Sequence, residues 1–272
     1  MSGAGAVKVL IPTGLGLNCE AETAHAFRTV GAEVDLVHLT DLFTRRHPRR
    51  IADYRILAFV GGFAYGDHIA AGFVLATRIR AHLKDDLAAF LAGGGLVIGI
   101  CNGFQTLVRL GLLPGPDSGG HDFVPRAALT NNDRLGYRDA WVRVTVDPSS
   151  PCLWTEGLGA FDLPARHGEG KFVVESESVL DRLESRGQLA LRYAGPDGRA
   201  TEAWPANPNG SARGVAGVCD PAGRVLGLMP HPDAFLHAWH HPDWRRADDP
   251  AGRVVPAGLE MFRRGVDAAT GA

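Results

Sequence analysis

The run Leu96-Val97-Ile98-Gly99-Ile100 constrains the fold of this chain more than any other stretch. Five apolar residues in succession leave no polar face for water, so a strand built from them is covered on both sides, as in a parallel sheet flanked by helices. The segment before it, IRAHLKDDLAAFLAGGG, carries apolar residues at helical spacing and ends in glycines suited to a C-cap. The same alternation reaches back toward the start: VKVLI from Val7, a helix-like ETAHAFRTV, VDLVHL from Val34 and RILAFV before Gly61. Short β-rich runs alternating with amphipathic segments predict βαβ units, hence an α/β fold with a parallel sheet and helices on both faces.

The second half reads differently. WVRVTV from Trp141 alternates apolar and polar side chains, as a half-exposed antiparallel strand does, and LALRY, GVAGV and RVLGLM predict further short strands. PGPDSGGHD around Gly115 and PANPNGSARG around Pro205 read as loops rather than boundaries. With 272 residues, 45% of them hydrophobic, the chain suits one α/β domain over residues 1–272. Its core is expected over about residues 7–236, with 237–272 an irregular, Arg-, Asp- and Pro-rich arm that leaves room for one last helix.

A net charge of −2, with acids and bases interspersed, gives no electrostatic footprint for nucleic acid or an anionic membrane. No apolar stretch approaches the roughly 18 residues needed to span a bilayer, and the start of the chain does not read as a secretory leader. Cys19, Cys101, Cys152 and Cys219 lie far apart with no CxxC pair, which favours reduced thiols over a zinc cluster or disulfide framework. A cytoplasmic location is expected.

The chemistry concentrates where LVIGI runs into Cys101-Asn102-Gly103-Phe104-Gln105 and then the apolar-periodic TLVRLGLL. Buried strand, sharp turn and helix make a nucleophile elbow, and Gly99 and Gly103 flank Cys101 at the G-x-nucleophile-x-G spacing. The helix that follows aims its amides and positive dipole end at the sulfur, favouring thiolate, and the Asn102 amide points toward an oxyanion on the attacked carbonyl. A lone cysteine at a strand end is more often a small buried hydrophobe; the flanking glycines and the strand-to-helix setting reverse that balance.

A thiolate needs a base. His-Pro-Asp occurs at His231 and again at His241, each histidine with a carboxylate two residues on that can orient it. Only the first copy follows a strand, RVLGLM, able to deliver its histidine to the sheet edge where Cys101 sits. His231 is therefore the expected base and Asp233 its acid, with the second copy incidental. His237, His240 and His241 have a spacing that would also place three imidazoles on one helical face near Asp243, a metal-site pattern. An exposed cluster is the commoner outcome, and no metal site is expected. Gly14 and Gly16 after VKVLI hint at a dinucleotide loop, but the third glycine is missing and no GxxxxGK[ST] occurs.

GICNGFQ from Gly99 and MPHPD from Met229 together resemble a class I, or triad, glutamine amidotransferase. GGFAYGDHIAAG from Gly61, ALTNND from Ala128, RHGEGKF from Arg166 and NPNGS from Asn207 are similar, in consistent order, to the glutaminase of phosphoribosylformylglycinamidine synthase. The resemblance runs from about Val7 to about Phe235. It implies a flavodoxin-like, mostly parallel sheet with added antiparallel strands, and a Cys-His-acid triad that hydrolyses glutamine to glutamate and ammonia. Cys101 would attack the side-chain amide, His231 would protonate departing ammonia, and water would cleave the thioester. The resemblance further implies an oxyanion site from the amide of Gly62 or Phe63 with Asn102, glutamine binding by Gln105, and His167 in the pocket wall. ATP, magnesium and formylglycinamide ribonucleotide would bind a separate synthetase subunit that receives the ammonia, with a small bridging subunit as a further partner. This chain would carry no cofactor.

Taken singly, Gly61 and Gly62 could be a plain turn, Gln105 an exposed helix residue, and His167 with Glu169 a solvated turn. Two positions depart from the family. Asp233 stands where Glu is usual, which shortens the reach to the imidazole by roughly 1.5 Å. PTGLGLNCE lengthens the turn before Asn-Cys-acid, and Cys19 is expected to be structural there. The alternatives are a non-catalytic regulatory or scaffolding subunit, and an amidotransferase recruited to another pathway.

Overall fold

The computed structural model describes residues 5–245 and 256–271. In chain order the elements are β1 (Lys8–Thr13), α1 (Glu20–Thr29), β2 (Glu33–His38), α2 (Leu39–Phe43), β3 (Ile56–Phe59), α3 (Phe73–Ala92), β4 (Leu96–Ile100) and α4 (Asn102–Leu110). They continue with β5 (Ala127–Thr130), β6 (Arg138–Val146), β7 (Ala160–His167), β8 (Lys171–Val174), α5 (Glu177–Ser185), β9 (Leu191–Ala194), β10 (Val215–Cys219), β11 (Val225–Leu228) and α6 (Ala257–Thr270).

Nine strands form one sheet in the order β2-β1-β3-β4-β11-β10-β9-β6-β7, and β5 pairs with β8 apart from it. β2, β1, β3, β4 and β11 run parallel, and β10, β9, β6 and β7 each run antiparallel to their inner neighbour. This is the α/β architecture expected from the alternation. β4 is buried at every position between β3 and β11, which accounts for its unbroken apolar sequence. In β6 the buried residues are Val142, Val144 and Val146, with Trp141, Arg143 and Thr145 only partly covered, as the WVRVTV alternation predicts. α3 buries Leu75, Ile79, Leu83 and Leu87, one residue per helical turn, against the sheet.

The antiparallel half does not stay open. It curls until the outermost strand, β7, meets the segment just beyond β11: Ala165 bridges Pro230, and the His231 amide donates to Pro164 O at 2.7 Å. Sheet twist makes such closure feasible, and it carries the end of β7 to the sheet edge where β4 and β11 end.

The core extends past residue 236. Met261 and Phe262 of α6 are buried, Phe262 meets Phe27 of α1 edge-on at 4.8 Å, and Gly265 packs so closely on Trp154 that a Cβ there would lie 2.1 Å from the indole. Residues 246–255 of the expected irregular arm lie outside the described residues. Among the described residues no helix is long and apolar enough to cross a membrane.

Candidate active site

Parallel pairing of β4 with β11 sets Ile100 opposite Leu228, and the Cys101 amide donates to Leu228 O at 2.8 Å. Whatever follows these two strands therefore emerges side by side. Cys101 is the turn residue, with φ 51° and ψ −105°, a left-handed conformation that an L residue adopts only under constraint. The flanking glycines supply it. A Cβ on Gly99 would lie 2.5 Å from Leu107 Cδ1, and one on Gly103 would lie 2.0 Å from Phe59 O, so any side chain at either position would push α4 off the sheet. The Cys101 thiol points at Arg166 O, 3.5 Å away near the end of β7.

His231 lies beyond the end of β11, and its Nδ1 is 3.2 Å from Asp233 Oδ1. The shorter acid thus reaches the ring, and the reason lies in α1. Thr23 Oγ1 donates to Asp233 Oδ2 at 3.3 Å, with Thr23 and Asp233 both buried. α6 presses from the other side, because Gly258 packs on the turn so tightly that a Cβ would meet Pro232 O at 2.1 Å. Burial alone would depress the His231 imidazole, but the Asp233 carboxylate outweighs it, and the ring is held well above its ordinary range. The Cys101 and Cys19 thiols lie beside the ring and add to that effect, though neither makes a hydrogen bond of ordinary geometry to Nε2. Such contacts commonly tighten only with substrate bound.

Cys19 is the residue just before α1, at the end of the long PTGLGLN turn. It is more than the structural residue expected there, since its sulfur faces the imidazole, and burial raises its thiol above the ordinary value. Cys19, His231 and Asp233 form the one cluster among the described residues whose metal-capable atoms lie within 4.8 Å of one another. The Asp233 and His231 atoms are already engaged with each other.

The second His-Pro-Asp copy is built otherwise. His241 Nδ1 accepts the amide of its own Asp243 at 3.1 Å, Nε2 lies 3.3 Å from Asp162 Oδ2, and the ring packs on Trp141 at 4.7 Å. It anchors the segment to β7. The helical face that would gather His237, His240 and His241 around a metal does not form: residues 238–240 make a single 3₁₀ turn and His241 is extended. His237 instead stacks on Trp239 at 4.4 Å, and His240 Nδ1 accepts the Leu236 amide.

A cavity of about 130 Å³ opens beside the thiol, lined in part by Gly62, Phe63, Asp67, Cys101, Gln105, His167 and Glu169. Of the two amides expected to serve an oxyanion, that of Phe63 is spent on Gly16 O at 2.8 Å. The Gly62 amide makes no hydrogen bond among the described residues, so Gly62 and Asn102 are left for that role and Phe63 is not. Gly62 has φ 138°, and a Cβ there would lie 2.7 Å from Leu17 Cα, so the turn requires glycine. Gly14 and Gly16 serve this same packing: the second lies against Phe63 O, where a Cβ would come within 2.2 Å. They shape the turn rather than a dinucleotide loop.

Gln105 is buried, not an exposed helix residue, and its Nε2 donates to Glu169 O at 2.6 Å while Oε1 accepts from Asn102. His167 is buried as well. Its Nδ1 meets Asn132 Oδ1 at 3.1 Å; the same oxygen accepts the Gly170 amide, and Asn132 Nδ2 donates to His167 O. Asn132 Oδ1 is thus an acceptor, which makes Nδ1 the protonated nitrogen and leaves Nε2 bare. Burial, reinforced by nearby His231, pushes this imidazole down to about 4. Asn209, from NPNGS, supports the turn by donating to Gly170 O at 2.8 Å. Thr23, Cys19 and Asp67 were not legible as site residues, although Asp67 falls inside the GGFAYGDHIAAG motif.

Fold and site are those of the glutamine amidotransferase class, and the model of the CobB/CobQ-like glutamine amidotransferase domain family matches residues 6–267. The chain is 41% identical over 238 residues to the phosphoribosylformylglycinamidine synthase subunit PurQ of Dehalococcoides mccartyi, covering 88% of this chain and 89% of that one. It is 38% identical over 269 residues to the PurQ subunit of Methanococcus maripaludis, covering 96% of each. Among solved structures it is similar to PurLQS from Thermotoga maritima, with a TM-score of 0.68 at 25% identity over 96% of this chain and 98% of that chain. A glutamine amidotransferase from the same organism, at 15% identity and a TM-score of 0.52, shares the fold. The chain belongs to the PurQ family of glutamine amidotransferases.

Proposed function

We propose that this chain is the glutaminase component of phosphoribosylformylglycinamidine synthase, which hydrolyses glutamine and passes ammonia to a synthetase partner. The observation that carries the reading is Cys101 held at φ 51° beside His231, whose far nitrogen is bonded to Asp233, at the rim of a pocket sized for a small molecule. His231 takes the thiol proton as the sulfur attacks the carboxamide carbon of glutamine. The oxyanion that forms meets the amides of Gly62 and Asn102, both fixed before substrate arrives. His231 returns the proton to the amide nitrogen, and the carbon–nitrogen bond breaks to release ammonia and leave a glutamyl thioester. A water then gives a proton to His231 and its oxygen to the thioester, freeing glutamate and restoring the thiol.

The PurQ relatives are named as synthase subunits and the solved neighbour as PurLQS, which supports a synthetase partner; ATP and the ribonucleotide are assigned to that partner, along with any small bridging subunit. Reconstitution with the synthetase tests the reading. Cys101→Ser and His231→Ala are expected to abolish glutamine-dependent synthesis, by about 10⁴-fold or more for the nucleophile, while ammonia-dependent synthesis persists. Survival of glutamine-dependent synthesis in Cys101→Ser would leave a scaffolding role instead.

A further inference from the structure

Asp67 and Glu169 share one wall of the Cys101 pocket, and among the described residues neither has a cationic partner. Asp67 sits in a strained turn in which Tyr65, Gly66, Asp67 and Ile69 all have positive φ, a run that ordinary side chains avoid. Its Oδ1 accepts Asn102 Nδ2 at 2.9 Å, and the Gly72 amide supports the same carboxylate. Glu169 Oε2 accepts the amide of Ala71 at 3.1 Å. Consecutive amides, of Ala71 and Gly72, thus each hold one acid. Burial and then the neighbouring Glu169 charge raise the Asp67 carboxyl above its ordinary value, which is the state of two like charges awaiting a cation.

A second observation points the same way. His167, only 2% exposed, lines this pocket and has a bare Nε2 with no hydrogen-bond partner. The pocket therefore offers acceptors, and its natural ligand brings N–H donors. In glutamine four bonds, about 5 Å when extended, separate the carboxamide carbon from the α-ammonium nitrogen. Asn102 spans a comparable gap here, with its backbone next to Cys101 and its side chain on Asp67.

We propose that Asp67 and Glu169 form the subsite for the α-ammonium group of the amino-acid substrate, and so determine specificity for glutamine over amides that lack an amino group. The proposal rests on the glutaminase reading. A site built around paired charge rejects the ligand that leaves its carboxylates unmatched.

The test compares glutamine with 4-carbamoylbutanoate, the same amide without the amino group, on the reconstituted complex, following glutamate or glutarate release. Asp67→Asn and Glu169→Gln are each expected to lower kcat/KM for glutamine about tenfold or more, mainly through KM, and to leave the slow hydrolysis of 4-carbamoylbutanoate within about twofold of the wild type. Equal losses on both substrates would overturn the proposal, because the acids would then only be shaping the pocket. Glu169→Gln keeps the question decidable if Asp67→Asn disturbs Asn102. A wild-type complex that leaves glutamine intact, or a Cys101→Ser complex that hydrolyses it, overturns the glutaminase reading itself and the subsite with it.

Discussion

Asp233 is one carbon shorter than the glutamate usual in the family, yet it is 3.2 Å from His231 Nδ1 because Thr23 holds its other oxygen from α1. That arrangement leaves no room for the longer acid. Asp233→Glu is expected to lower glutamine-dependent turnover, and Thr23→Ala combined with it to recover much of the loss, a coupling of about 1–3 kcal/mol in kcat. Additive losses would show that Thr23 plays no part in orienting the acid. His167 makes a pH prediction. Its native value near 4 lies below the ordinary 6.5, so the unfolded chain takes up the proton first as pH falls. The contribution, roughly 3 kcal/mol, is fully present above about pH 6.5, shrinks through the window down to about 4, and is gone below it. Urea unfolding of the wild type and His167→Gln at pH 7 and pH 5 reads this directly: the wild type loses more stability between the two.

At the scale of elements, α4 owes its position to glycine. Gly103 lets the first turn of the helix approach Phe59 O on β3 so closely that a Cβ would sit 2.0 Å away. Gly103→Ala is expected to cost about 1–3 kcal/mol in urea unfolding and to lower glutaminase activity further than a stability loss of that size explains, since Cys101 moves with the helix. α6 acts on the site as well, pressing Gly258 onto Pro232 between the histidine and its acid. The sequence allowed only for a last helix after a polar arm. The burial of Met261 and Phe262 could not be read from an amphipathic pattern that fits a surface helix equally well.

Across the whole molecule, the parallel half of the sheet delivers Cys101 and His231, and the antiparallel half folds round to deliver Arg166, His167 and Glu169. The two His-Pro-Asp copies show how this closure assigns different work to one motif. His231 faces the elbow, whereas His241 ties the segment after β11 to Asp162 on β7. His241→Ala is accordingly expected to retain glutamine-dependent synthesis while losing about 1–3 kcal/mol of stability, the cost of leaving Asp162 without its partner in a partly buried contact. His231→Ala should show the reverse pattern, and a thermal melt beside the activity assay distinguishes them.

The sequence by itself determined the parallel half, the elbow and the choice of the first histidine copy. Each of these is local: an unbroken apolar strand, glycines two residues either side of Cys101, and a strand leading into His231 are legible without knowing what they touch. Only the tertiary structure decided the rest. That Thr23 steadies Asp233, that Cys19 faces the imidazole, that Phe63 has no amide to give and that Asp67 meets Glu169 all depend on contacts between segments far apart in the chain. A threonine, a cysteine or an aspartate has the same local preferences whether it faces solvent or a catalytic ring, and it is the closing of β7 onto β11 and the packing of α1 and α6 that give these residues their partners.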